Sequence, residues 1–499
     1  MADILLTHSY FLRFDPKQFR AMMPYPPLGT LYAGAVLRGN GFSVALFDSM
    51  LAESEEELHE ALRVHQPNIV AIYDDDFNYL TKMCLSRMRA AAFRLSEIAK
   101  KYGAVVIVHG SDAADHAEEY LVHGADYVIA GEGEQTLLEL CRALNRNERS
   151  TIDPINGVVY RNDGIVHTQK RRLIQNLDTL PFPAWELVDI EKYRRLWKKR
   201  HGYFSMNMVT TRGCPFHCNW CAKPIYGQVY NSRSPENVAE EMKFLRSVFQ
   251  PDHIWFADDI FGLKPGWVQK FSEVVQREKI IIPFKCLSRV DLLLKNNTIS
   301  DLKRAGCETV WIGAESGSQK ILDAMEKGTT VQEIYHSTDQ MKRYDIRVGF
   351  FLQFGYPGEE RNDIDATLRM VRDCSPDEIG ISVSYPLPGT KFYNSIKKEM
   401  EAKQNWIDSD DLEVMFAGRY TPEFYRALHA YAHKTFQTRR AHEIALSLFR
   451  LHALNAKAVR TLVLFPYYLF SSLVLKLRLQ KLEAKPNPRY HAFHAVPVS

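Results

Sequence analysis

The sequence has no run of ~20 apolar residues, the length a helix needs to cross a bilayer. Its first residues, Met-Ala-Asp-Ile-Leu-Leu-Thr-His-Ser, carry neither a basic stretch nor a long apolar core. A spanning helix and a secretory leader are therefore not expected. An excess of one charge is also missing. The 63 Lys and Arg face 60 Asp and Glu, a net +3 over 499 residues, which implies no general affinity for nucleic acid. Cysteine is sparse. Of eight, Cys84, Cys141, Cys286, Cys307 and Cys374 stand alone in apolar or helical contexts. That usage suits a reduced compartment, hence a cytoplasmic protein, rather than a disulfide framework. No internal repeat or low-complexity tract is evident. The length and an ordinary share of apolar residues fit two or three globular domains.

The other three cysteines are grouped. Cys214, Cys218 and Cys221 stand in Thr-Thr-Arg-Gly-Cys-Pro-Phe-His-Cys-Asn-Trp-Cys, a C-x3-C-x2-C spacing. Three thiolates on one short loop can ligate three irons of a [4Fe–4S] cube and leave the fourth open to a small molecule. Structural zinc usually wants four ligands, often as paired C-x2-C units, and no second pair exists. His217 directly precedes Cys218, which makes joint ligation of one ion awkward.

Residues 1–145 alternate short apolar runs with helical stretches. Strands are expected at Ile4–Thr7, Ser43–Phe47, Ile69–Tyr73, Val105–Val108 and Tyr127–Ala130. Helices are expected at Leu28–Arg38, Ser54–His65 and Leu85–Lys101, with Ser54 and Glu57 as a capping box. Such alternation implies a doubly wound parallel sheet, whose ligands sit beyond the carboxyl ends of the strands. Residues 146–200 read as a linker, with a hairpin around Asn162-Asp163-Gly164 and a proline-rich crossing from Asp178 to Trp185. Residues 201–395 show six further strand–helix units, with strands ending at Thr210, Phe256, Leu287, Ile312, Phe354 and Val383. Lys327-Gly328 reads as a helix end, Thr329 or Thr330 as the next N-cap, and His336 as a helical residue without a catalytic role.

Residues 396–499 lack strand patterns and read as a helical domain with an irregular tail around Pro486, Pro488 and Pro497. Between Lys434 and Lys485, ten Lys and Arg face only Glu443 and Glu483. Within this basic stretch lies the apolar run Leu462–Leu475, interrupted by Pro466. A buried helix of a cap domain is the expected reading, because short apolar runs are usually buried. A membrane-surface helix is the alternative.

The cysteine run resembles the signature of the radical S-adenosylmethionine (radical SAM) superfamily. In that family the open iron chelates SAM, and one-electron reduction releases a 5′-deoxyadenosyl radical. The resemblance implies a partial (β/α)6 barrel over 201–395. It also implies SAM contacts by Trp220, by Asp258 and Asp259 after the second strand, by Arg289 after the third, by Glu315 in Trp-Ile-Gly-Ala-Glu, and by Gly355 in Gly-Tyr-Pro-Gly-Glu. Pro386-Leu-Pro-Gly-Thr390 matches the last barrel loop. Ordinary roles compete with these. An acidic pair at a strand end is often a helix cap, and Arg289 has Asp291 or Glu315 as ion-pair partners.

The N-terminal region resembles the Rossmann-like cobalamin-binding domain that precedes many radical SAM barrels. The matching residues are Met23-Pro-Tyr-Pro-Pro-Leu-Gly-Thr, Phe47-Asp48, His109-Gly110-Ser111 and Gly131-Glu132-Gly133-Glu134. Asp48, His109, Gly110, Ser111, Glu132 and Gly133 are the implied cobalamin contacts. No Asp-x-His-x-x-Gly run is present, so no histidine stands at the usual place of a lower cobalt ligand; an empty Rossmann-like domain is the competing reading.

The family implies hydrogen abstraction from an unactivated carbon, then methyl transfer from methylcobalamin, in a cavity between the two domains. Oxidative cyclisation, as in the anaerobic magnesium-protoporphyrin ester cyclase, is the alternative. A non-catalytic SAM or cobalamin sensor would not need an open iron. Methylthiolation would need a second cysteine group, and only Cys84 and Cys141 precede the barrel. The expected partners are a small-molecule substrate, of lipid or natural-product kind, and a reductant such as flavodoxin or ferredoxin. No nucleic acid is expected. Peripheral contact with the inner membrane face by the C-terminal region goes with the surface-helix alternative.

Overall fold

The computed structural model describes residues 2–490 other than 84, 146–151, 153, 224, 401–402, 449–455 and 486. Cys84, Pro486 and the tail around Pro497 lie outside the described residues.

Five strands, β1 (Ile4–Thr7), β2 (Val44–Leu46), β3 (Ile69–Tyr73), β4 (Val105–His109) and β5 (Tyr127–Ile129), pair in parallel. The hairpin β6 (Val158–Arg161) and β7 (Ile165–His167) extends the sheet antiparallel, giving the order β2-β1-β3-β4-β5-β6-β7. Asp163 takes φ 50° in the hairpin turn. The segment expected as a linker thus begins as part of the first sheet. Every residue of β1 and β3 is buried, because helices cover both faces. Leu28–Gly39 and Glu134–Asn145 pack on one face; Leu58–His65, Ser86–Lys101 and Ala117–Val122 pack on the other. The capping box at Ser54 does not form. Glu55–Glu57 is a 3-10 turn, Ser54 makes no side-chain cap, and the Glu57 carboxylate accepts instead from the Glu53 N–H at 2.7 Å.

The second sheet begins with β8 (Ser205–Met208). A short antiparallel pair follows, β9 (Thr211–Arg212) with β10 (Asn231–Ser232), and the cysteine loop lies between its two strands. Then come β11 (His253–Phe256), β12 (Phe284–Ser288), β13 (Cys307–Glu315), β14 (Arg347–Phe354) and β15 (Glu378–Val383). The order β15-β14-β13-β12-β11-β8 is sequential and all parallel, an open half-barrel. Barrel chemistry collects at the carboxyl ends of such strands. The barrel core is continuous with Tyr25, Leu28, Tyr32 and Phe77 of the first domain. Thr330, one of the two expected N-caps, caps the helix Val331–Arg343, which contains His336, and forms a capping box with Glu333.

After β15 the chain runs back across the first domain. The Trp406 carbonyl accepts from the Ser86 N–H at 2.9 Å, and the Ser409 hydroxyl donates to Asp15 at 2.6 Å. Helices Pro422–Leu448, Ala456–Val463 and Phe465–Glu483 follow. The last two depart from the expected buried helix. Val463, Phe470 and Leu477 are 73%, 69% and 61% exposed, and Leu479 is the one fully buried residue of Phe465–Glu483. Pro466 sits in the first turn of its helix, where a missing N–H costs little.

Candidate active site

The cysteine loop starts where β8 and β11 end. Asp258 is buried there and accepts four bonds, from the N–H groups of Thr210 (2.7 Å) and Thr211 (2.8 Å) and from their hydroxyls (2.8 and 3.0 Å). Burial pushes its carboxyl up to about 6 against these donors. Its role in the structure is to staple the base of the loop. At Gly213, φ 81°, an added Cβ would lie 2.3 Å from the Val229 carbonyl oxygen, so only glycine lets the chain pass. Between Cys218 and Cys221 the chain is pinned by the segments that follow β13, β14 and β15. Asn219 N–H donates to the Met325 carbonyl (3.1 Å), the Tyr356 hydroxyl donates to Asn219 Oδ1 (2.9 Å), and Phe392 N–H donates to the Asn219 carbonyl (3.0 Å).

The three thiols interact electrostatically, and burial raises both Cys214 and Cys221, the latter to about 12. Cations surround them. Arg289 Nη1 lies 3.9 Å from Cys218 Sγ and its guanidinium 3.6 Å from the Phe216 ring centroid. Lys223 donates to the Phe216 carbonyl. Lys82 and Lys327 each keep a raised pKa against burial, Lys82 through Asp259 and Lys327 first through Glu315 and then through Cys218. Buried thiols become ligands when a cation offsets the desolvation of the thiolate. The ring of lysine and arginine suits the net negative charge that three thiolates bring. The loop therefore fits an iron–sulfur cluster. Among the described residues no three His, Cys, Asp or Glu converge as a single-ion site.

The implied SAM residues divide. Arg289, Asp259 and Trp220 stand around the cysteines. Arg289 pairs with Asp291 at 2.9 Å, one of its two expected partners. Asp259 pairs across the domains with Lys82 at 2.8 Å. Glu315 is buried at φ 54°, an unfavourable backbone for a non-glycine residue, and its carboxylate accepts from Lys327 Nζ at 2.8 Å. Backbone strain of this kind concentrates at functional sites. Gly355 lies one loop away, where its N–H donates to Glu359 at 2.6 Å. Uncommitted buried polar atoms border this region: Trp220 Nε1, Thr329 Oγ1 and Glu359 Oε1. Partners for a polar ligand are thus present.

The implied cobalamin residues line the carboxyl ends of the first sheet. His109 stacks on Tyr73 at 4.0 Å, its Nε2 is 2.9 Å from the Gly131 carbonyl, and its buried Nδ1 has no partner. Burial lowers it to about 4, so the ring is neutral. Gly133 presses against this pair; a Cβ there would lie 2.6 Å from the Tyr73 hydroxyl and 2.7 Å from the His109 ring. Gly110, at φ 154°, approaches Asp74, and the Ser111 hydroxyl donates to the Thr81 carbonyl at 2.8 Å. Asp48 is committed to the Tyr193 hydroxyl (2.7 Å), His8 Nε2 (3.2 Å) and the Met50 N–H (3.2 Å). Thr7 Oγ1, at the end of β1, is buried without a partner. Thr7 and His109 supply free polar atoms where a doubly wound sheet seats a ligand, so the site fits a corrinoid.

One residue that sequence reasoning passed over joins the two halves. Arg212, two residues before Cys214, donates to Glu132 (2.5 Å) and to Glu134 (2.6 Å). Its guanidinium lies 5.3–5.6 Å from the ring centroids of Tyr32, Phe77 and Tyr226. All three charged groups are buried. Against burial, Arg212 holds Glu134 below the usual carboxylate value. Lys327 was likewise missed, being read as a helix end. The available signal for both was a cation directly before a glycine, Arg212-Gly213 and Lys327-Gly328, in the segments that follow barrel strands.

Two family profiles match the chain: the Radical SAM superfamily over residues 208–371 and the B12 binding domain over 21–141. The chain carries a radical SAM domain and a B12-binding domain. A relative of this radical SAM chain is the uncharacterized methyltransferase PH0819 of Pyrococcus horikoshii, 27% identical over 424 residues, 83% of this chain and 88% of the relative. Another is the anaerobic magnesium-protoporphyrin IX monomethyl ester cyclase of Synechocystis sp., 25% identical over 374 residues, 74% of this chain and 72% of the relative. Among solved structures, the cobalamin-dependent S-adenosylmethionine radical enzyme OxsB aligns at TM-score 0.71 and 16% identity, over 99% of this chain and 76% of that one. That likeness establishes the fold.

Proposed function

We propose that this radical SAM protein is a cobalamin-dependent C-methyltransferase. The observation that carries the reading is the cysteine loop at the carboxyl end of the half-barrel, facing the carboxyl end of the first sheet and tied to it through Arg212. When bound, the cluster with SAM supplies a 5′-deoxyadenosyl radical, and the corrinoid supplies a methyl group. Cys214, Cys218 and Cys221 would hold the cluster. Lys327 and Glu315, with Arg289, would orient the amino-acid end of SAM through charge-assisted bonds. Asp259, through Lys82, ties the loop after β11 to the first domain, and Asp258 holds the loop base. Trp220 and Gly355 border the nucleoside side. His109, Gly110, Ser111, Glu132 and Gly133 would shape the corrinoid pocket, with Asp48 setting the loop after β2. The aromatic packing of Tyr32, Phe77 and Tyr226 excludes water from the junction.

Methyl transfer is favoured because the relative that aligns over more of both chains, 83% and 88%, bears the name of an uncharacterized methyltransferase. Oxidative cyclisation is the second reading, favoured by the similarity to the cyclase. The substrate is a small molecule of lipid or natural-product kind, and a flavodoxin or ferredoxin serves as the electron donor. The setting is cytoplasmic, with the C-terminal region touching the inner membrane face. No described helix is long and apolar enough to cross a membrane.

Anaerobic reconstitution with iron, sulfide and hydroxocobalamin tests the cofactors. Protein given SAM and dithionite is expected to release 5′-deoxyadenosine, and Cys218→Ala is expected to abolish release. Equal release by both proteins would end the reading. Cells fed methyl-labelled methionine, with and without the gene, separate methylation from cyclisation. A labelled metabolite that disappears with the gene supports methylation; an unlabelled one supports cyclisation.

A further inference from the structure

The C-terminal helix Phe465–Glu483 is apolar on two faces, and only one of them is covered. Its inner face packs on the helix Pro422–Leu448, and its C-terminal end reaches the barrel. Leu479 is buried, Glu483 pairs with Arg361 at 2.7 Å, and just beyond the helix Asn487 donates to the Gly418 carbonyl at 2.6 Å. The outer face carries Tyr467, Phe470, Leu473, Val474 and Leu477, each 47–69% exposed among the described residues. They recur at spacings of three and four, so they form one stripe. The stripe is about 15 Å long at 1.5 Å per residue. Val463 continues it on the preceding helix. An exposed apolar stripe of this size marks an interaction surface.

Charge decides between occupants. From Ala456 to Lys485 six Lys and Arg face one acid, Glu483, which is already paired. Lys476, Arg478 and Lys481 flank the stripe at its C-terminal end and are exposed. A two-fold contact with a second copy brings two such cationic segments together without acids to offset them. A surface of anionic lipid headgroups complements them, at about 1 kcal/mol per basic residue near the surface. No described helix is long and apolar enough to cross a bilayer, so this one would lie in the headgroup plane.

We infer that this stripe, with its flanking Lys476, Arg478 and Lys481, is an anionic-lipid docking surface. The inference deepens the peripheral contact proposed for the C-terminal region and does not depend on methyl transfer. The helix Pro422–Leu448, against which the docking helix packs, starts at the barrel mouth, where the Tyr425 ring lies within 3.1 Å of the position a Cβ on Gly355 would occupy. A docked protein would therefore present the rim of its active site to the membrane. An apolar substrate dissolved in the bilayer is the class this arrangement serves.

The test uses full-length, anaerobically reconstituted protein in cosedimentation with phosphatidylglycerol-containing and pure phosphatidylcholine vesicles. Binding is expected to the anionic vesicles, weaker by about tenfold on neutral ones or at 0.5 M salt. Phe470→Glu with Leu477→Glu is expected to lower binding about tenfold or more while iron content and 5′-deoxyadenosine release stay at wild-type levels. Lys476→Glu with Arg478→Glu, which leaves the apolar stripe intact, is expected to give the same loss and guards against misfolding of the first pair. Binding that ignores headgroup charge overturns the proposal. So does a dimer, seen by light scattering, that the Phe470→Glu pair dissolves without any vesicle binding. Loss of 5′-deoxyadenosine release from the wild-type protein would instead count against the radical SAM reading alone.

Discussion

Glu359 is a buried carboxyl with one oxygen on the Gly355 N–H and the other without a partner. Burial raises it to about 8, above its ordinary 4.5. The folded protein therefore keeps a proton that the unfolded chain has lost. The sign follows: stability from this group is intact below about pH 4.5 and declines as pH rises toward 8. Glu359→Gln keeps the acceptor and removes the titration. Its urea midpoint is expected to exceed that of wild type at pH 8.5 and to match it at pH 5. Parallel midpoints at both pH values would refute the assignment. Arg212 offers a larger effect. Arg212→Met leaves Glu132 and Glu134 buried without their cation, at an expected cost of about 3–5 kcal/mol, measured by denaturant unfolding. Gly133→Ala, which drives a methyl into Tyr73 and His109, is expected to cost about 1–3 kcal/mol and to weaken retention of added hydroxocobalamin. Unchanged corrinoid uptake on a gel-filtration column would argue that this glycine serves packing alone.

At the scale of elements, legibility followed periodicity. Ile69–Tyr73 reads as a strand because a parallel strand covered on both faces is apolar at every position. The Thr330 cap is visible because a threonine stands just before the periodic run of a helix, while its box with Glu333 went unread. Thr330→Ala is expected to lower stability by about 1 kcal/mol, read from the thermal midpoint. The same pattern misled at Ser54, where a 3-10 turn brings the glutamate onto a different N–H. The cysteine loop announced itself by spacing, but its supports did not. Arg212 and Glu132 stand 80 residues apart, and Lys327 reaches Glu315 across a helix. Such pairs leave no local rhythm to read. The apolar run after Leu462 shows the limit most plainly. Its composition said that it avoids water, while which side of the helix is covered depends on neighbours far away in the chain.

At the scale of the whole molecule, the two sheets meet carboxyl end to carboxyl end, and polar links join the two domains, among them Arg212 to Glu132 and Glu134, Lys82 to Asp259, and Asn207 to the Pro26 carbonyl. The segment from Trp406 to Ser409 adds a further tie, from the chain's last domain to its first. Asp15→Ala removes the acceptor of Ser409 and is expected to raise amide exchange over residues 405–412 while leaving β1 and β3 protected. Uniform exchange in both proteins would show that the tie carries little.

That crossing has a consequence for biosynthesis. Ribosomes complete both sheets at Val383, about forty residues before they begin the helices that follow the Trp406 crossing at Pro422 and about a hundred before they finish them at Glu483. For that interval the shared face of a nascent chain lacks its final brace, and metal and corrin can be loaded from the open side. Ribosome-arrested chains ending near residue 400 are accordingly expected to take up hydroxocobalamin faster than the finished protein, and equal uptake rates would remove the idea.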